Sequence, residues 1–299
     1  DAVLAAPSLL PVRLDLIDSD PDWTAGGHLV GNGPFVLAEW SHGSFLSLAP
    51  NPFYHGAGQV ALSNVVMPIV STESQLNSYK TGTVDVSVIT DDQMEAVLAD
   101  PVLSAEFHQT PRPGVYYLGL NTQQTPTNDP LVRKALAAAI DRDYVIHEAN
   151  NATWRETATS AIPPEVRGYQ NGTVGHAFDP TQAQIYLSQA GYPGGTGFPG
   201  IELWASDGNQ GVIDAVAEQW ITNLGIDVTV HYWEWSSYLG ELNGRHGQES
   251  TCAYNAYRLG WLLDYGDANN ILNDLFHPDS SMQFTGWDDA TYRTLVDDA

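Results

Sequence analysis

The stretch Tyr257-Arg-Leu-Gly-Trp-Leu-Leu-Asp-Tyr-Gly-Asp-Ala-Asn-Asn270 decides how the chain is read. An apolar run from Ala253 to Leu259 predicts a β-strand, which empties at Gly260-Trp261 into two acids, Asp264 and Asp267, beside Tyr265. A carboxylate just beyond a strand end, with aromatic rings on either side, suits a small cationic ligand. The rings exclude water, and the lower dielectric strengthens the attraction between opposite charges. The alternative is structural, with Asp264 or Asp267 capping the helix predicted to begin near Ala268.

Immediately upstream the pattern is α/β. Ile201-Glu-Leu-Trp-Ala205 alternates as a strand, and the helix after it carries Ile213, Val216, Ala217, Trp220, Ile221 and Leu224 on one face before stopping at Gly225. Ile226-Asp-Val-Thr-Val-His-Tyr232 alternates again, so this unit predicts a parallel pair with a right-handed crossover. Trp235 to Leu242 predicts a short helix, and Trp287 opens a last one. Further back, Asp179-Pro180 and Asp129-Pro130 each mark a helix start, a capping carboxylate followed by a proline where a missing N–H costs nothing. The helix from Asp129 towards Arg142 has the apolar face Leu131, Ala135, Leu136, Ala139, Ile140 and Tyr144. Pro111-Arg-Pro-Gly114 punctuates the chain before the strand Val115–Leu120 and marks a lobe boundary.

In the N-terminal part, Phe35–Trp40 and Phe45–Leu48 form a hairpin about His42-Gly43. Val65–Met67 and Ile69-Val70 are strand-like, with Pro68 placing them at an edge. Glu73–Tyr79 and the stretch after Asp91-Asp92 are helical, and Val84-Asp-Val-Ser-Val88 alternates as a strand.

Composition narrows the function. With 299 residues, 43% hydrophobic and 16% charged, the chain is long enough for about two domains and is globular. No run approaches the roughly 18 apolar residues of a membrane helix. The opening residues Asp1-Ala-Val-Leu-Ala-Ala-Pro-Ser8 lack the basic start and apolar core of a signal peptide, so the chain either never had one or begins after its removal. Thirty-six acids against eleven bases give a net charge of −25, which repels phosphate backbones and anionic lipid and excludes nucleic acid as a partner. The acids are scattered along the chain, a strongly solvated surface suited to salty surroundings. Cys252, the single cysteine, rules out an internal disulfide or thiolate cluster and reads as a buried thiol.

Several motifs fail on context. Gly195-Thr-Gly197-Phe-Pro-Gly200 fits a dinucleotide pattern but precedes a strand, and Pro199 blocks a helix start. The nine histidines form no metal-binding helical pair, and no cofactor or metal is expected. Asn151-Ala-Thr and Asn171-Gly-Thr match the glycosylation pattern only by triplet. Asp264 and Asp267 as a glycosidase pair would need one acid protonated and the other ionised, and nothing nearby separates them.

Taken in order, a series of strings resembles the bacterial family 5 extracellular solute-binding proteins, the oligopeptide- and dipeptide-binding receptors of ABC importers. They are Gly31-Asn-Gly-Pro-Phe-Val-Leu-Ala-Glu-Trp40, Leu48-Ala-Pro-Asn-Pro-Phe-Tyr54, Tyr79-Lys-Thr-Gly-Thr-Val-Asp-Val86, Leu118-Gly-Leu-Asn121 and Asp129-Pro-Leu-Val-Arg-Lys-Ala-Leu136 with Ala139-Ile-Asp-Arg142. Ala190-Gly-Tyr-Pro193, Leu224-Gly-Ile226, Trp235 and Gly260-Trp-Leu-Leu-Asp-Tyr265 continue the series. The resemblance implies an α/β, periplasmic-binding-protein-like fold (type II, two-lobed) with lobe one incomplete: residues 1–112 as partial lobe one and 113–299 as most of lobe two. What resembles the family's N-terminal third, and its C-terminal return into lobe one, is missing. The implied function is a receptor outside the cytoplasmic membrane, in the periplasm or as a cell-surface lipoprotein. It would be a binding protein and not an enzyme, capturing peptide and delivering it to a membrane permease; glycan-binding branches make oligosaccharide the alternative ligand. By position, Asp264 matches the aspartate that pairs with a ligand's α-ammonium. Arg258 matches a position that can face the ligand carboxylate, or serves as a structural ion-pair partner. Trp235 and Trp261 line the cleft or belong to the core, and Tyr257 and Tyr265 are further candidates.

Overall fold

The computed structural model describes residues 12–110, 112–149, 152, 155–170 and 175–299. Residues 1–11, Asn151 and Thr153 of one glycosylation triplet, and the whole triplet at Asn171 lie outside this set. The described residues divide into two compact units, one ending at Gln109 and the other running from Thr110 to Ala299. No described helix is long and apolar enough to cross a membrane.

In the first unit a short helix α1 (Leu14–Ser19) precedes a three-stranded antiparallel sheet of β1 (Phe35–Ser41), β2 (Phe45–Pro50) and β3 (Val65–Pro68). The hairpin turns at Gly43, whose φ of 73° only glycine adopts without strain. Helices α2 (Thr72–Lys80), α3 (Asp91–Ala99) and α4 (Pro101–Glu106) follow, enclosing a small core of Leu76, Val97 and Leu103. The α4 start, which the sequence reading lacked, is capped by Asp100, whose carboxylate accepts from the Val102 and Leu103 amides at 2.9 and 3.2 Å. The alternating segment 84–88 is not a strand. It pairs with no strand among the described residues, and Val86 and Val88 remain exposed. An alternating pattern supplies side chains for two faces, but a strand also needs a neighbour for its backbone hydrogen bonds.

The second unit runs β4 (Gly114–Leu120), α5 (Pro130–Ala138), α6 (Pro180–Gln189), β5 (Ile201–Ser206), α7 (Gln210–Leu224), β6 (Val228–Trp233), α8 (Trp235–Asn243), β7 (Ala256–Leu262), α9 (Asn269–Leu272) and α10 (Ala290–Asp297). Its four strands are ordered β4-β7-β5-β6. As the strand–helix–strand pattern predicts, β5 and β6 are parallel; β7 is parallel to β5, and β4 is antiparallel to β7. One face of the sheet buries Leu203, Ala205 and Ala256 with Val132, Leu136, Leu187, Ile213 and Trp220 of the helices. The other buries Trp204, Tyr257 and Leu259 with Tyr238, Tyr254 and Phe284.

The capped helix starts hold. Asp129 accepts from the Leu131 amide at 2.7 Å and Asp179 from the Gln182 amide at 2.8 Å. The first of these helices is shorter than its apolar pattern, because α7 takes over its end. The Trp220 indole N–H donates to the Leu136 carbonyl (2.9 Å), Asn223 donates to the Ala139 carbonyl (2.9 Å), and the Asp141 amide donates to Gln219 (2.6 Å). Docking against α7 also rotates the buried face, so Val132 replaces Leu131 in the core while Tyr144 and Ile221 stay exposed. The last helix starts at Ala290, later than expected, because Asp289 is its cap and accepts from the Tyr292 amide at 2.9 Å.

The decisive strand is shifted towards the C-terminus, from the expected 253–259 to Ala256–Leu262. Asn255 holds its start: the side chain accepts from the Glu202 amide (2.9 Å) and donates to the Thr125 carbonyl (3.0 Å). At the other end β4 supplies partners through Leu262, so the backbone at Gly260-Trp261 continues the ladder instead of leaving it. Cys252 is buried, as expected, and burial raises its thiol pKa.

Candidate functional site

Strands β5, β6 and β7 are parallel and share a carboxyl edge. Two expected ligand-facing segments leave from it: Trp235 follows β6, and Trp261 to Tyr265 close β7. In open α/β sheets the crevice outside the carboxyl ends of the strands is the usual ligand position, because loops there radiate from rigid strands.

Along β7 successive side chains point to opposite faces. Tyr257 points into the aromatic core, with ring centroids 5.7 Å from Tyr254 and 5.9 Å from Phe284, and is 1% exposed. Burial raises its hydroxyl well above the usual phenol range. Its expectation as a ligand residue is therefore corrected: the ring is core, and Gly119 across on β4 leaves room for it, since a Cβ there would lie 2.1 Å from the ring.

Arg258 lies on the opposite face. Its guanidinium stands 4.3 Å from the centre of the Tyr116 ring, which lies across Gly260 on the neighbouring strand. The residue is 9% exposed, and among the described residues no carboxylate pairs with it. Burial lowers its pKa; the nearby Arg155 charge lowers it further, opposed by Tyr116 and Tyr238. A shielded guanidinium with an aromatic platform and no counter-charge is the form in which arginine receives an anion, since an arriving carboxylate offsets its desolvation.

Beyond the strand the chain turns, and one amide organises it. The side-chain oxygen of Asn270, a residue 1% exposed, accepts from the Trp261 indole N–H (2.9 Å) and from the Asp264 backbone N–H (3.1 Å). The Asp264 carboxylate is exposed and, among the described residues, has no hydrogen-bond or ion-pair partner. Asp267 does not cap the helix: its Oδ1 accepts from the Asn269 amide two residues on at 3.0 Å, a turn contact, and the cap position of α9 is Ala268. Tyr265 is fixed through its hydroxyl, which donates to Asp274 (2.8 Å) and accepts from Asn269 (2.9 Å). Burial raises its pKa; the Asn269 bond opposes that rise, and the Asp274 carboxylate adds to it. Trp235 is 48% exposed at the first turn of α8, a helix anchored where the Tyr238 hydroxyl donates to the Arg258 carbonyl at 2.8 Å.

The fold thus brings Trp261, Asp264 and Tyr265 together, places Trp235 on the same sheet edge, and removes Tyr257 to the core. It also adds Tyr116, Asn270 and Asp274, which the sequence reading missed. Asn270 and Asp274 carried a faint signal, an amide and an acid four residues apart on one helical face. Tyr116 carried none, because its place depends on the pairing of β4 with β7.

The described residues thus form an α/β unit with an exposed, unpaired carboxylate just past the end of β7 and a buried guanidinium on β7 itself. Comparison with known proteins gives the family. The chain belongs to the bacterial extracellular solute-binding proteins, family 5, whose "Middle" model matches residues 2–283. It is 28% identical to the oligopeptide-binding protein OppA of Bacillus subtilis, over 96% of this chain and 53% of that protein. It is 29% identical to the probable deoxycholate-binding periplasmic protein YgiS of Escherichia coli, over 99% of this chain and 55% of that one. Its fold superposes on the Escherichia coli murein tripeptide binding protein MppA with a TM-score of 0.77 at 26% identity, covering 97% of this chain and 57% of the other. The chain therefore spans about half the length of the curated relatives it matches.

Proposed function

We propose that this chain is the central part of an extracytoplasmic receptor of an ABC importer, one that captures short peptides and hands them to a membrane permease. Residues 12–109 belong to one lobe, and those from 110 onward form most of the lobe that holds the ligand's charged ends. Asp264 receives the α-ammonium, Arg258 on its Tyr116 platform receives a ligand carboxylate, and Trp261, Trp235 and Tyr265 provide apolar walls. The observation that carries this reading is the Asp264 carboxylate, left without a partner while the backbone beneath it is held by a buried amide. Relatives named for oligopeptides and murein tripeptide support the ligand class.

The chain's role is read as binding, since the family and the relatives it matches are named for binding solutes. The exposed Trp235 indole favours one second reading, an oligosaccharide stacked on that ring.

Titration calorimetry with mixed tripeptides and their N-acetylated counterparts tests the proposal. Free-amine peptides should bind at least about tenfold more tightly than acetylated ones, a gap of ~1.4 kcal/mol, and Asp264→Asn should erase it. Equal binding of the two peptide forms by the unaltered protein, or an unchanged preference in the variant, overturns the reading. Binding of sugars with no response to peptides would replace it with the second one.

A further inference from the structure

We infer that Asn270, its amide oriented by Asp274, is the positioning residue of this site. The inference rests on Asp264 as the ammonium acceptor. Asn270 is not a ligand residue; it acts through what it holds.

The hydrogen bonds assign the direction of its amide. The Asp274 Oδ2 lies 2.9 Å from the Asn270 Nδ2 and 2.8 Å from the Tyr265 hydroxyl, while its Oδ1 accepts from Asn273 at 3.0 Å. An ionised carboxylate only accepts, so the NH2 end of Asn270 must face Asp274 and the oxygen must face the other way. On that side stand two donors, the Trp261 indole and the Asp264 amide. One oxygen thus ties the last ring of β7 to the peptide unit that carries the recognising acid. Lysine or arginine could not present an acceptor there, and leucine would leave both N–H groups buried and unpaired.

The same contacts sort the three acids of this segment. Asp274 is met by three donors and Asp267 by one, whereas neither oxygen of Asp264 has a donor among the described residues. Of the three, the Asp264 carboxylate is thus the one open to a peptide's α-ammonium.

Asn270→Asp separates positioning from mere packing. The aspartate keeps an oxygen for Trp261 and Asp264 but sets a second carboxylate against Asp274. The titratable groups beside it are Asp274 and Tyr265; Asp264 and Asp267 meet it through their backbone. Two facing carboxylates share a proton when the pH falls, which restores the lost hydrogen bond. Calorimetry on the full chain would compare a free-amine tripeptide with its acetylated form at pH 7.0 and 5.5, each variant being normalised to the unaltered protein at the same pH. The expected result is a loss of about tenfold or more in amine preference for Asn270→Asp at pH 7.0, recovered at pH 5.5. Asn270→Leu should show the same loss at both pH values. A preference untouched by either Asn270 variant, in a protein where Asp264→Asn abolishes it, overturns the positioning role and leaves the ammonium reading intact. A loss in Asn270→Asp that ignores pH also overturns it, since a structural defect has no reason to be repaired by a proton. An Asp264→Asn variant that keeps the preference overturns both.

Discussion

The two sheets among the described residues are similar in strand length and opposite in how they treat apolar side chains. In the four-stranded sheet both faces are covered, one by α5 to α7 and the other by an aromatic layer, and Leu203, Ala205, Ala256 and Tyr257 have almost no exposed surface. In the three-stranded sheet Leu37 is buried, but Trp40, Val66 and Met67 are exposed, as are Ile69 and Val70 just beyond β3. An alternating pattern alone does not make a core; a second layer must arrive to exclude water from the face it offers. The expected site residues lie in the covered unit, as positional accuracy demands, because a carboxylate presented from a mobile frame loses selectivity.

The strongest way to break this contrast is Trp220→Ala. The side chain is 1% exposed and also donates to the Leu136 carbonyl, so its loss should lower stability by about 3–5 kcal/mol. Phe53→Ala in the first unit removes a ring that is 94% exposed and should stay within about 0.5 kcal/mol. Denaturant unfolding of both variants checks the pair; similar costs would mean the first unit is better packed than its exposure indicates.

A sharper comparison sits within the covered sheet. Gly119→Ala drives a Cβ to 2.1 Å from the ring of Tyr257, which has nowhere to go, and should cost about 1–3 kcal/mol. Gly260→Ala meets the Tyr116 ring at 2.2 Å, but that ring is 56% exposed and swings outward. The second change should therefore cost only about 0.5–1 kcal/mol, the value of the guanidinium–ring contact it disturbs. Thermal unfolding gives both numbers, and a reversed order would show that Tyr116 is held more firmly than Tyr257.

The most local effects come from the helix caps. Asp129→Ala and Asp100→Ala each remove a carboxylate that accepts at the first turn of a helix, and each should cost about 1 kcal/mol. Native-state hydrogen exchange resolves them by place: the amides of α5 should speed about fivefold in the first variant and those of α4 in the second. A response spread over both units in either variant would mean that they open together.

How much of this was legible before folding differs from residue to residue. The Asp-Pro helix starts at 129 and 179, and the parallel pair flanking α7, rest on contacts between residues close in sequence or on a strict period, so local chemistry was enough. The limits of β7 were not legible, because Asn255 and the β4 partners that define them come from distant parts of the chain. Segment 84–88 had the pattern of a strand and lacked a neighbour. Tyr257 and Arg258 are adjacent, and period two puts them on opposite faces, but it does not say which face is closed by Phe284 and Tyr254.

The sequence by itself thus determined the alternation of strands and helices, the capped starts, and a pair of acids beside aromatic residues at the end of one strand. Only the tertiary structure chose between those acids. It gave Asp267 the amide of Asn269 and gave Asp274 three donors, and it left Asp264 open above a buried Asn270. Spacing places side chains along the chain, but which oxygen stays free depends on every donor that folding brings within reach.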